Sequence, residues 1–302
     1  MAAVVSVDEV IQAPIVGRQP IGRVLRSNRK LSVGLVIFVT LAATTLIGGL
    51  FVEEADRRTG AFPRNEAPSF DSMAMILGTT SLGQSISIQM TEAVPNSILI
   101  GLIAATIGTA VGAVVGLISG YFGGAIDAVL RILIDVFLSV PSLLFLILLA
   151  SILEGVGVLT MAFIIGIFAW SWPARAVRAQ TLSLKERPFV RVARLSGMGS
   201  LEIIFRELLP HQLTWLGANF LNAFITAILA ESGLSILGLG PQREMTLGMM
   251  IYWSVLNYSS MLKNLWWWWL TPVVTLMVLF LALYLIHLGL DEIANPRRRR
   301  HA

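Results

Sequence analysis

The stretch Pro95-Asn-Ser-Ile-Leu-Ile-Gly-Leu-Ile-Ala-Ala-Thr-Ile-Gly-Thr-Ala-Val-Gly-Ala-Val-Val-Gly-Leu-Ile-Ser-Gly120 runs for 26 residues without a charged side chain. A helix needs roughly 20 such residues to cross about 30 Å of hydrocarbon, so the segment reads as a membrane span. Within it Gly108, Gly112, Gly116 and Gly120 recur every fourth residue. That spacing lays four positions without side chains on one helix face, where another helix can pack closely.

Five further apolar runs, 31–52, 128–153, 157–173, 215–237 and 266–288, complete a set of six. The fold expected is an all-α, polytopic membrane bundle of six transmembrane helices. Composition agrees: 56% of the chain is hydrophobic and only 13% charged, with a mean hydropathy of +0.78, whereas soluble domains carry about 25% charged residues. The first run is far longer than the roughly 7–15 residues of a signal-peptide core, so it reads as a retained span. With no cysteine, disulfide frameworks and thiolate metal or redox sites are excluded.

An N-terminus on the cytoplasmic side gathers 17 of the 22 basic residues into inside segments. The positive-inside rule then gives N-in and C-in and explains the net charge of +4 without a nucleic-acid partner. The chain divides into a cytoplasmic segment 1–30, a six-span domain 31–290 and a basic cytoplasmic tail 291–302. Within the domain, 53–94 and 240–265 are extracytoplasmic and 174–212 is a cytoplasmic loop. The run Arg297 to Arg300 is expected at anionic headgroups. All eight tryptophans fall at expected interfaces, seven at span ends and Trp253 in the last outer loop, as an aromatic belt requires.

Catalytic motifs are absent. None of the three lysines follows a glycine, which excludes a phosphate-cradling G-x-x-x-x-G-K-[ST] loop. His211, His287 and His301 are scattered, with no metal-ligand spacing. There is no G-x-S-x-G elbow. An enzyme is not expected, and neither a metal nor a cofactor is expected on this chain.

The loop between the fourth and fifth spans contains Pro188-Phe-Val-Arg-Val-Ala-Arg-Leu-Ser-Gly-Met-Gly-Ser-Leu-Glu-Ile-Ile-Phe-Arg-Glu-Leu-Leu-Pro210. It reads as two short helices: Pro188 suits a first turn, Gly197 and Gly199 a break, and Ser200 a cap. Phe189, Val192, Ala193 and Ser196 would share one face, with Arg187, Arg191 and Arg194 opposite. Such a segment could simply lie on anionic lipid.

Its spacing resembles the EAA loop of ABC importer permeases: E-A-A, three residues, Gly, nine residues, then I-x-L-P. Ala193, Gly197, Leu209 and Pro210 match this frame, while Arg191, Val192 and Glu207 depart from it. Two more segments are similar to the C-type permease of dipeptide, oligopeptide and nickel importers. Ala227-Ile-Leu-Ala-Glu231-Ser-Gly-Leu-Ser-Ile-Leu-Gly-Leu-Gly240 looks like AILAEASLSFLGLG. Leu77-Gly-Thr-Thr-Ser-Leu-Gly-Gln84 looks like LGTDxLGRD, with Thr80, Gln84 and Ser85 replacing Asp, Arg and Asp. Gly120-Tyr-Phe-Gly-Gly124 with Asp127, and Asn295-Pro296-Arg297, fall where the subfamily has GYFGG...D and DPR, so the likeness runs from about residue 20 to 297.

The resemblance implies a type I ABC importer permease in a bacterial cytoplasmic membrane, without an ATPase site of its own. It implies a homologous permease as partner, cytoplasmic ATPase subunits holding ATP and Mg, and an extracytoplasmic binding protein that delivers short peptides. Nickel or another small solute is the alternative cargo. The loop would be the coupling helix, with Arg191, Ala193, Gly197, Leu209 and Pro210 at the ATPase.

In span five, Asn219, Asn222 and Thr226 form a polar stripe, either lining the pathway or bonding to neighbouring helices. Glu231, near the outer end, would contact the partner permease or act as a gate. Arg131 and Asp135, at i and i+4, should pair. A secondary transporter would also have six spans but needs no ATPase-docking loop.

Overall fold

The glycine spacing of 95–120 becomes a helix seam. In a computed structural model, which describes residues 28–153, 155–257 and 260–294, helix α2 (Ile86–Phe122) lies along helix α5 (Val158–Leu184). A Cβ added at Gly108 would stand 2.6 Å from that of Ala169, one at Gly112 2.7 Å from the Trp170 carbonyl, and one at Gly116 2.6 Å from the Ala174 carbonyl. Any side chain there would force the helices apart, losing the dispersion contacts that hold helices together in lipid. A second seam joins α1 (Arg29–Leu50) to α9 (Trp266–Ala294), where Gly34 meets Ala282 and Gly289 meets Leu31. Helix α7 (Ser200–Ile236) crosses α2 at Gly101, against which the Phe224 ring rests. Val94, Phe224, Leu279 and Leu283 sit in the core these helices share.

Five helices, α1, α2, α5, α7 and α9, are each long and apolar enough to cross a membrane. The third run is not the continuous helix expected over 128–153. It consists of α3 (Gly124–Ser139) and α4 (Ser142–Ile152), bent by 80° and together able to form a sixth crossing. Pro141 at the joint lacks an N–H, and its ring drives the preceding residue out of the helical region. Val140 is extended accordingly, with ψ 126°.

Helical structure also runs past the hydropathy boundaries around the fourth and fifth runs. Helix α5 continues beyond Pro173 to Leu184, because a fresh helix start at Ser171 puts the proline in a first turn, where its missing N–H costs nothing. Arg175 and Arg178 do not end the helix either: Asp135 and Asp127 receive their charges. Only 185–199 lies between α5 and α7, and it holds one short helix, α6 (Pro188–Leu195). The second loop helix is the start of α7. Its N-cap is Gly199, and Ser200 is the first helical residue rather than the cap.

At the basic end of the bundle, Asn28 Nδ2 donates to the Gly289 carbonyl and Lys185 Nζ to that of Gly120. At the far end, Asn96 Nδ2 donates to the Met245 carbonyl and Trp267 Nε1 to that of Thr79. The far-end motif 77–84 is a clamp: Thr80 Oγ1 accepts from the N–H groups of Leu82 and Gln84, and Ser85 caps α2 by accepting from Ile88. Both hydroxyls supply the acceptor oxygen that a short carboxylate would.

The aromatic belt holds only in part. Trp172 and Trp266 are about half exposed, whereas Trp170 and Trp268 are buried in the bundle. The motif at 295–297 and the run Arg297 to Arg300 lie outside the described residues, as does 1–27.

Candidate functional site

Helix α7 presents Asn219, Asn222 and Thr226 to one cavity of about 340 Å³. Its other walls include Val140 and Ser142 at the bend between α3 and α4, and Trp172 on α5. The proline break thus does more than interrupt a span: it shapes a wall of this cavity. Trp172 stacks on Trp215 at 5.9 Å, on the basic side of the stripe. No Asp, Glu, Lys, Arg or His lines the cavity among the described residues. Its chemistry is that of neutral amides and hydroxyls on an apolar wall, suited to hydrogen-bonding an uncharged polar group.

The stripe also reaches its neighbours. Asn219 is buried, its Nδ2 3.5 Å from Thr109 Oγ1 on α2, at the limit of a hydrogen bond. Thr226 donates to the Asn222 carbonyl within its own helix at 2.8 Å. Asn222 is exposed to the cavity.

Glu231 does not join these three. It is fully buried within its own chain, where its Oε1 accepts from Ser235 and from Thr246 at 2.6 Å each. Cavity lining stops one residue earlier, at Ala230. The departure follows from helix geometry, since 12 residues at about 100° each turn Glu231 roughly 120° away from Asn219.

At the basic end, α6 ends in a Schellman turn. The Gly197 N–H donates to the Arg194 carbonyl and that of Met198 to Ala193, with Gly197 at φ +83°. The buried face of α6 is Val190 and Ala193, packed with Ile203, Ile204 and Leu208 of α7 and Val177 of α5. Val192, expected on that face, is 61% exposed, and Leu195 is 88% exposed. The reason is register: Val190 and Ala193, three apart, take the inward side. Leu201 and Phe205, at the start of α7, are also exposed, and the Arg191 guanidinium donates to the Glu186 carbonyl.

Leu209 and Pro210 explain the start of α7. Proline offers no N–H to the Arg206 carbonyl, and residues Ile203–Leu208 widen into a π turn, with the Leu209 N–H reaching back to Ile204. Ala193, Gly197, Leu209 and Pro210 therefore each take part in the backbone geometry of one compact unit.

Sequence spacing gave no hint of the polar links behind this unit. Arg178 pairs with Asp127, and Gln212 donates to Thr181 Oγ1 between α7 and α5 at 3.0 Å in a buried site. Arg131 does reach Asp135, at 3.7 Å, but Arg175 binds the same carboxylate at 2.5 Å.

A profile of the family described as binding-protein-dependent transport system inner membrane component matches residues 112–300. The chain belongs to this family. A peptide permease protein of Brucella suis biovar 1 is 31% identical over 271 residues, covering 89% of this chain and 88% of that one. The dipeptide transport system permease protein DppC of Bacillus subtilis is 29% identical over 299 residues, covering 97% and 90%. In fold, the permease resembles a chain of the MetNI methionine ABC transporter in inward-facing form, with a TM-score of 0.52 and 20% identity over 67% of this chain and 92% of that one. The matched family region contains the cavity-lining helix α7, the short helix α6 and Asp127.

Proposed function

We propose that this permease forms half of the translocation pathway of an ATP-driven importer of short peptides. The observation that carries the reading is the exposure of Val192 and Leu195 on α6, the short helix at the basic end that also carries Arg191. A surface so apolar, built on a rigid turn outside the long helices, calls for a protein partner. On this reading the basic end is cytoplasmic, giving N-in and C-in, and the exposed side of α6 seats a cytoplasmic ATPase. ATP and Mg belong to that subunit, so this chain carries no ATPase site.

ATPase closure pushes α6, whose buried face bears on α7, α5 and, through Leu117, α2. Movement of one loop thus biases a two-state packing of the bundle. A homologous permease supplies the other half, and an extracytoplasmic binding protein docks at the far end. Peptide cargo is supported by the names of the Brucella and Bacillus relatives and by the uncharged amide and hydroxyl lining of the cavity. Nickel fits less well, because that lining offers neither carboxylate nor imidazole.

The test is purification of the complex in detergent and reconstitution with its binding protein. Co-purification of a P-loop ATPase and a second six-span chain, with ATP-dependent uptake of labelled di- or oligopeptides, is the expected result. A homo-oligomer with ion-driven uptake would overturn the assignment.

A further inference from the structure

Residues 244–248 form a wedge at the far end between α2 and α7. On the α2 side it is held through its main chain. The Met245 N–H donates to Glu92 Oε1 at 3.1 Å, Asn96 Nδ2 to the Met245 carbonyl at 2.8 Å, and the Leu247 N–H to Ser97 Oγ at 3.0 Å. On the α7 side, the hydrogen bond that reaches the wedge ends on one side-chain oxygen: Thr246 Oγ1 donates to Glu231 Oε1 at 2.6 Å. Thr246 also accepts from the Met249 N–H, capping α8 (Leu247–Ile251). The fit is tight, since a Cβ on Gly248 would lie 2.8 Å from Ser232 Cα and 3.2 Å from Glu231 Oε1.

This asymmetry has a mechanical meaning. The main-chain bonds tie the wedge to α2, which the glycine seam locks to α5. Helix α7, which carries the cavity stripe, packs on the wedge at Gly248 and is hydrogen-bonded to it through a hydroxyl–carboxyl contact that can break and reform as the helix moves. We infer that Glu231 is a positioning residue: it clasps the wedge to α7 and fixes the far end of the bundle until the clasp is released. The inference rests on the importer reading. It differs from a gate that carries charge, because both short bonds land on Oε1, where the carbonyl oxygen of a glutamine can stand.

The experiment compares Glu231→Gln, Glu231→Ala and Thr246→Val in the reconstituted complex. ATP hydrolysis is measured with and without the binding protein, and amide hydrogen exchange over 243–250 is read on the same samples. The clasp requires Glu231→Gln to stay within about two-fold of wild type in both readouts. Glu231→Ala and Thr246→Val should raise hydrolysis without binding protein about ten-fold, the scale of one lost hydrogen bond to a carboxyl group, and should speed exchange over 243–250. Loss of coupling in Glu231→Gln, or unchanged hydrolysis and exchange in both other variants, would overturn the clasp. A variant that fails to assemble is replaced by Gly248→Ala, which crowds the same contact and must show the same rise. If wild type itself shows no ATP-dependent peptide uptake, the importer reading fails; the exchange measurement on the wedge still decides the clasp.

Discussion

Arg178 grips Asp127 with two nitrogens, Nε on Oδ1 and Nη2 on Oδ2, both at 2.6 Å and across 51 residues of sequence. Ser119 Oγ donates to the same carboxylate, which makes the turn at Gly123 a fixed corner between α2, α3 and α5. Both side chains are mostly buried. Removing either partner leaves a charge without its counterion, at a cost of about 3 kcal/mol. Asp127→Asn and Arg178→Ala should each lower the unfolding temperature of the purified complex by several degrees. Arg178→Lys should restore only part of the loss, because an ammonium cannot bridge both oxygens.

The helix seam gives a second prediction. At Gly116 the Ala174 carbonyl would stand 2.6 Å from a new Cβ, and the obstacle is backbone. Gly116→Val should destabilise the bundle by about 3 kcal/mol, read as loss of folded protein on heating in detergent. Gly199→Ala meets nothing within 4 Å and should leave the melting temperature unchanged.

Gly197 separates strain from crowding. No atom lies within 4 Å of a Cβ placed there, yet its φ of +83° is costly for a side chain, by about 1–2 kcal/mol. Gly197→Val should leave membrane assembly intact while lowering peptide uptake per ATP hydrolysed. Gly197→Asn should be milder, since asparagine tolerates this region. An uptake-to-hydrolysis ratio equal to wild type in Gly197→Val would mean that α6 does not carry the coupling.

The cavity stripe predicts a change in substrate handling. Asn222→Leu removes an amide exposed to the cavity without touching the buried face of α7. Transport KM should rise about five-fold, as expected for one lost hydrogen bond, with ATP hydrolysis in the absence of peptide unaltered. Asn219→Leu should in addition loosen α7 from α2, because its amide approaches Thr109.

Local chemistry made several of these features readable in advance. The four-residue glycine period required a close helix neighbour, and Pro188 with Gly197 required a short, sharply ended helix. The period of Asn219, Asn222 and Thr226 required a shared face. Such rules depend on the geometry of one helix and travel with the chain wherever it is placed.

Which neighbour fills each face is a different question. The sequence by itself determined a six-run membrane chain, the frame of the loop before α7, and the stripe on α7. Only the tertiary structure decided that α5 receives the glycine seam, that Asp127 meets Arg178, and that the run 128–153 bends at Pro141 to shape a cavity wall. It also set Glu231 against Thr246 and turned Val192 outward from the bundle. The physical reason is that hydropathy and periodicity report how each residue suits lipid, water or a helix face. Pairing partners such as Asp127 and Arg178 is a long-range matter of packing and charge neutralisation, which no window along the chain contains.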